Sequence, residues 1–209
     1  FTFLSIFDTA SVLERKNPLG AVRAFARAFG ADPRVKLILQ VSNAGRAPEL
    51  FDRLAEAAAG ARVEVRAGAL ARASLEALLA ACDAYVSLHR AEGFGLPIAE
   101  AMAAGKPVVA TSYSGNTDYL DERTGFPVRW RYVELPQSIR DYDRGTRWAE
   151  PDEEHAAKLL RRVFEDRGEA ARRAGAGRRR IAELYSQEAA GRRVAQALAS
   201  LRARLRKTA

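Results

Sequence analysis

Short apolar runs alternate with amphipathic segments along the first 130 residues, and this alternation constrains the fold more than any other feature. Residues 2–7 (TFLSIF), 35–41 (VKLILQV), 63–66, 83–88 (DAYVSL), 108–110 and 125–130 (GFPVRW) read as strands. Asn17-Pro18 opens the first long helix, with Asn suited to the cap and Pro to the first turn. Ala21, Phe25, Ala28 and Phe29 recur at helical spacing, and Gly30 ends the run. Pro48 opens a second helix, through about Ala59, closed by Gly60. Ser74 caps a third through Ala81, and Pro97 opens a fourth that ends near Gly105. Repeated strand–helix–strand units require right-handed crossovers, and hence a parallel sheet covered on both faces. The nearly continuous apolar strands fit such a sheet. Residues 131–150 lack periodicity and hold Pro136 and Gly145, so they read as the longest loop. Helices follow at 152–166, about 169–184, and 187–206 after Ser186. The expected fold is α/β, a doubly wound parallel sheet with a helical C-terminal end, in one domain over 1–209.

Composition narrows the function classes. With 48% apolar and 29% charged residues among 209, the chain can bury a core. No run of about 18 apolar residues is present to span a membrane. A single cysteine, Cys82, gives no disulfide framework and fits a reducing compartment. His89 and His155 lie far apart without ligand spacing, so no metal site is expected. The chain starts at Phe1 directly on a strand, with no signal peptide to read, which suggests a piece of a longer protein. Charge is uneven: residues 1–157 carry 19 Lys and Arg against 21 Asp and Glu, but residues 158–209 carry 15 against 5. A basic tail is a solvated helix face or a contact for nucleic acid or an anionic membrane. It contains no nucleic-acid readout motif and few aromatics, so nucleic acid is not an expected partner.

In a doubly wound sheet, ligands sit beyond the C-terminal strand ends. That directs attention to residues 8–16, 42–47, 68–72, 89–96 and 111–116. The strongest constellation there is E-G-F-G-L-P-I-A-E, from Glu92 through Gly93, Phe94, Gly95, Leu96 and Pro97 to Glu100. Gly93 and Gly95 allow close backbone approach to a ligand. The helix opening at Pro97 presents free N–H groups and a dipole end that favour phosphate. Glu92 before the glycines and Glu100 in the first helical turn would reach different parts of one extended ligand, accepting hydrogen bonds from its hydroxyls. The same residues also suit an ordinary glycine turn before a well-capped helix.

The two glutamates around GFGLP, followed by EAMAAGKPVVATSYSGNTDYL, resemble the signature of the retaining family-four (group 1) glycosyltransferases. FDTASVLERKNPLGAVRAFARAF is similar to the phosphate-binding first loop and helix of bacterial polysaccharide transferases in that family, and GTRWAEPDEEHAAKLLRRVFED to their penultimate helical region. The resemblance implies a GT-B architecture, two Rossmann-like domains facing a cleft, with this chain as the donor-binding half. It implies that Glu92 holds hydroxyls of the transferred sugar and that Gly93, Phe94, Gly95 and Leu96 meet sugar and diphosphate. Glu100 would grip the ribose, Lys16 would neutralise the diphosphate, and Leu70, just after Gly68, would line the base pocket. Many members place an arginine five residues before that lysine. Here Ser11 stands at that place, so either Ser11 itself or Arg15, adjacent to Lys16 but not obliged to face the same way, would take that part. His89 lies beside the proposed sugar site, though a surface histidine is the plainer reading.

On this resemblance the chain is half of a transferase that moves a sugar from a nucleotide-diphosphate donor, GDP-mannose first, to a glycan or lipid-linked acceptor with retention. No cofactor is implied beyond the donor itself. Lys16, Arg15 and the helix at Pro97 would stabilise charge on the departing diphosphate. Neither carboxylate reads as a nucleophile, because the hydrolase scheme needs both to flank one bond. The partners expected are the donor, the acceptor, an N-terminal GT-B domain and an anionic membrane surface, in a cytoplasmic protein peripheral to the inner membrane. A nucleic-acid-binding module and a sugar-nucleotide epimerase are the competing classes, and epimerases lack the EGFGLPIAE pattern. Val194, Leu198, Leu201 and Leu205 form a helical stripe that would pack on its own domain or on the missing one.

Overall fold

The computed structural model describes residues 1–208. Six strands form one parallel sheet: β1 (Thr2–Asp8), β2 (Lys36–Ser42), β3 (Val63–Ala67), β4 (Ala84–Ser87), β5 (Val108–Thr111) and β6 (Phe126–Val128). Their spatial order is β3-β2-β1-β4-β5-β6. The order reverses between β1 and β4, which pair over Phe3–Ala84 and Leu4–Tyr85. A crevice therefore opens beyond the ends of these two strands, where a ligand can meet loops from both halves of the sheet.

The connecting helices are α1 (Leu13–Lys16), α2 (Pro18–Phe29), α3 (Glu49–Ala58), α4 (Arg72–Ala81) and α5 (Leu96–Ala103). The C-terminal end is α6 (Glu153–Glu165), α7 (Arg167–Tyr185) and α8 (Gln187–Thr208). Two cores result. Phe3, Phe25, Phe29, Leu37 and Leu160 pack on one face of the sheet with α2, α3 and α6. Leu4, Tyr85, Ile98, Met102 and Ile181 pack on the other with α4, α5 and α7. Helix α7 buries Ala170, Ala174, Gly177 and Ile181. A Cβ at Gly177 would stand 2.6 Å from the Thr124 carbonyl oxygen and 2.9 Å from Met102 Cε, so the small residue permits close approach. Asp152 and Asp166 cap α6 and α7 by accepting from the backbone N–H groups of His155 and Glu169 at 2.9 and 2.7 Å.

Two expectations from sequence differ from the structure. Residues 131–150 are not one long loop. They contribute most of an antiparallel hairpin, β7 (Trp130–Glu134) and β8 (Arg147–Pro151), in register from Trp130–Pro151 to Glu134–Arg147. The long connection between its strands hides the short-turn signal by which hairpins are read. Helix α4 begins at Arg72 rather than after Ser74, and Arg72 pairs along the helix with Glu76 at 2.7 Å. On α8, Val194, Leu198 and Leu201 of the apolar stripe are each more than half exposed. Among the described residues, no helix is long and apolar enough to cross a membrane.

Candidate functional site

Asn17 organises the crevice. Its backbone is left-handed (φ 50°), it ends α1, and its side-chain oxygen accepts from the Gly20 N–H at 3.2 Å to start α2. Its amide nitrogen donates to the Leu88 carbonyl at 2.8 Å, just beyond β4. The last turn of α1 is thereby fixed against the segment that carries Glu92. The Arg90 N–H reinforces the junction by donating to the Arg15 carbonyl at 2.8 Å.

Arg15 and Lys16 consequently face the same way, although they are adjacent. Lys16 Nζ donates to Glu92 Oε1, and Arg15 Nη1 lies 3.3 Å from Glu92 Oε2. Arg15 also donates to the Ala91 carbonyl at 2.6 Å and to Ser11 Oγ at 2.8 Å. The Glu92 side chain is only 10% exposed. Burial pushes its carboxyl up, but the Lys16 and Arg15 charges outweigh burial and hold it below the ordinary carboxylate range.

The two glutamates of the motif diverge from one glycine turn. Glu92 is drawn towards α1, whereas Glu100 meets Arg72 of α4 at 2.5 Å. Glu100 is the fifth residue of α5, so it stands in the second turn and not in the first as expected. Between them Gly95 adopts φ 79°, which a residue with a side chain rarely takes. The α5 N-terminus carries no side-chain cap, which leaves the partial positive charge of its first turn without an internal acceptor. Leu96 is 64% exposed there. Phe94 instead packs on Tyr119 and Tyr185, with ring centroids 5.3 and 4.9 Å away.

A neighbouring segment whose role the sequence left open supports this turn. Ser114 Oγ and the Gly115 N–H both donate to the Glu92 carbonyl, the latter at 3.2 Å. A Cβ on Gly115 would fall 1.8 Å from the Gly93 carbonyl oxygen, so backbone packs on backbone there. A Cβ on Gly93 would meet nothing within 4 Å, so that position opens on free space. Tyr119 Oη donates to the Phe94 carbonyl at 2.5 Å and holds the turn from behind.

His89 is not a surface residue: it is fully buried. Its Nε2 sits 3.1 Å from the Tyr113 carbonyl and its Nδ1 3.1 Å from Ser87 Oγ. The carbonyl can only accept, so Nε2 carries the proton and Nδ1 accepts from the serine. Burial pushes its pKa down. Gly68 (φ 124°) follows β3, donating from its N–H to the Val41 carbonyl and accepting from Gln40 Nε2 at 2.7 Å. Leu70, two residues on, is 40% exposed.

The crevice holds an open cleft of about 560 Å³, lined by residues 10–12, Arg15, Glu92, Gly93 and residues 140–142. Sequence reasoning missed this last wall. The β7–β8 connection folds back over the end of β1, where Leu135, Trp148 and Val12 form a small core joined by Ala91, Ile139 and Tyr142. Spacing held no sign of it, because the connection closes on residues more than 120 positions earlier.

A parallel sheet in this order, with a basic loop after β1 and a glycine turn before a helix after β4, defines a Rossmann-like α/β domain. Residues 10–194 match the description "Family 4 Glycosyltransferase in conflict systems", and the chain belongs to that family. No curated protein matches the sequence. Among solved structures, the chain resembles Anabaena HepE in complex with UDP and glucose, with TM-score 0.71 and 20% identity over 96% of this chain and 48% of that one. It resembles sucrose-phosphate synthase from Thermosynechococcus elongatus with TM-score 0.73 and 22% identity over 97% of this chain and 46% of the other. It also resembles the C-terminal domain of a glycosyl transferase group 1 family protein from Francisella tularensis, with TM-score 0.66 and 18% identity over 89% and 87%. The chain thus spans about half the length of the first two, and at these identities the likeness is one of fold.

Proposed function

We propose that this chain is the donor-binding half of a two-domain glycosyltransferase that takes a sugar from a nucleoside diphosphate and passes it, with retention, to a glycan or lipid-linked acceptor. The observation that carries the proposal is the divergence of Glu92 and Glu100 from one uncapped helix start. A nucleotide sugar has hydroxyls at both ends and a diphosphate between them. Glu100 is placed for the ribose, the α5 N-terminus for the diphosphate, and Glu92 for the transferred sugar. Gly93, Phe94, Gly95 and Leu96 supply backbone along the diphosphate and sugar, and Gly68 and Leu70 border the base.

When the anomeric C–O bond breaks, its electron pair goes to the diphosphate. The acceptor oxygen bonds to the same face of that carbon and gives its proton to the leaving oxygen. Lys16, Arg15 and the α5 dipole meet the charge where it develops. Glu92 keeps both cations in place before the donor arrives. His89 and Ser11 act on this reading as supports, His89 between the ends of β4 and β5 and Ser11 under Arg15.

Two bases have support. The sequence resemblance favours GDP-mannose, while HepE was crystallised with UDP and with UDP-glucose. Transfer itself is assigned to the pair of domains, so this half binds donor without robust turnover. The exposed α8 stripe is proposed to cross onto the other domain, with the basic tail near an anionic membrane on its cytoplasmic side.

Melting of the 209-residue chain with UDP, GDP, ADP and TDP tests the proposal. A nucleotide at 100 times its Kd adds about 2.7 kcal/mol of stability. No shift with any of the four, or a shift unchanged in Glu100→Ala, would overturn it.

A further inference from the structure

Arg140 occupies a conformation that its residue type does not favour. It stands at the tip of a turn closed by mutual backbone bonds between Ile139 and Tyr142, at 2.8 and 3.0 Å. Its φ is 48°, in the left-handed region where glycine or asparagine is accommodated at least cost. Arginine gains nothing from apolar burial there, since the residue is exposed. Its guanidinium instead reaches across the end of the sheet, and Nη1 donates to the Ala10 carbonyl at 2.7 Å. That contact joins the tip of the β7–β8 connection to the loop after β1, 130 residues away in sequence.

The charges in the cleft give this placement a meaning. Arg15 and Lys16 are both paired with Glu92. Outside the cleft lining, Arg72 is paired with Glu76 and Glu100, and Arg90 with Glu150. Among the described residues Arg140 forms no ion pair, and the one acceptor found for it is a neutral carbonyl. It lines the same cleft as Ser11, Arg15, Glu92 and Gly93. A cation not cancelled by a carboxylate, held by one guanidinium nitrogen with the others open, is suited to phosphate oxygens. Strained backbone of this kind clusters at active sites and ligand clamps.

We infer that Arg140 is a diphosphate-binding residue, delivered to the donor from the β7–β8 connection, and that this segment forms the second wall of the donor site. The inference rests on the donor-binding reading above. It adds a ligand from a part of the chain outside the glycine motif and the basic loop. Its anchor, the Ala10 carbonyl, adjoins the uncharged Ser11, so Arg140 brings to that loop a guanidinium from 130 residues along the chain.

The test compares Arg140→Gly and Arg140→Lys with the unaltered 209-residue chain. Binding is measured by calorimetry with UDP or GDP, whichever shifts melting, with the corresponding monophosphate, and with inorganic pyrophosphate as competitor. Glycine removes both the charge and the backbone strain. We expect its unliganded melting temperature to be equal or higher, diphosphate affinity to fall at least about tenfold, and monophosphate affinity to fall less. Pyrophosphate competition should weaken in parallel, and lysine should restore part of the diphosphate affinity. Equal losses for mono- and diphosphate, no loss at all, or a glycine variant that melts lower without ligand would overturn the inference and assign Arg140 a structural role. If no nucleoside diphosphate binds the unaltered chain, the donor-binding reading itself falls. Binding that is insensitive to Arg140 removes only the inference.

Discussion

Asn17 and Leu88 are 71 residues apart, yet the 2.8 Å hydrogen bond from the Asn17 amide to the Leu88 carbonyl fixes the distance between the two halves of the candidate site. Asn17 is buried, and its side chain also caps α2. Asn17→Ala removes the cap and leaves the Leu88 carbonyl without that donor. Each loss costs about 1 kcal/mol or more, so urea unfolding should show a destabilisation of about 2–3 kcal/mol. Nucleotide binding should weaken as well, because Lys16 is the residue immediately before Asn17.

Gly93 and Gly115 touch, but alanine at the two positions has opposite consequences. At Gly115 the added carbon collides with the Gly93 backbone, so the variant should lose about 1–3 kcal/mol of stability in denaturant melts. At Gly93 the added carbon meets only open space. Gly93→Ala should keep its stability within about 0.5 kcal/mol and lose nucleotide affinity, since the new methyl group points where the ligand is placed.

Glu92 and His89 should give the stability curve two separate acid limbs. His89 has its pKa lowered by burial. Its contribution is therefore complete above the ordinary value near 6.5 and is lost as pH falls below it. Glu92 is held below the usual carboxylate range, so its contribution is complete above about pH 4.3 and is lost as pH falls through the lower folded value. Urea titrations across pH should show the upper limb missing in His89→Gln and the lower limb reduced in Glu92→Gln. Unchanged slopes in either variant would contradict the corresponding assignment.

Glu100 offers a test specific to the sugar next to the base. A charged hydrogen bond to a ribose hydroxyl contributes about 1.5–3 kcal/mol. Glu100→Ala should therefore bind the nucleoside diphosphate roughly 10- to 100-fold more weakly. It should also lose most of the preference for the ribose over the 2′-deoxyribose form. Equal discrimination in both proteins would detach Glu100 from the ribose.

Much of this arrangement could be read in the residues themselves. Asn17-Pro18 marked its helix because a cap and a first-turn proline act locally, and the apolar runs marked the parallel sheet because burial on both faces leaves little choice of residue. Glu92 and Glu100 stood out because a glycine turn before a helix is a local pattern. The pairing of both Arg15 and Lys16 with Glu92 was not legible, since it depends on the Asn17–Leu88 contact. The burial of His89 depends on Ser87 and on the distant Tyr113 carbonyl. The wall containing Arg140 was hidden most completely, because neither a tight turn nor an apolar alternation announces a segment anchored by Ala10, Val12 and Ala91 on two distant loops.

The β7–β8 ribbon shares no ladder hydrogen bonds with the six-stranded sheet, and its strands pair only with each other. Residues 140–142, which border the cleft, can thus be exchanged while the sheet keeps every one of its own pairings. Selection could retune ligand preference at the tip of this ribbon while Leu135 and Trp148 keep its base packed on Val12, as one swaps the bit of a drill without rebuilding the motor.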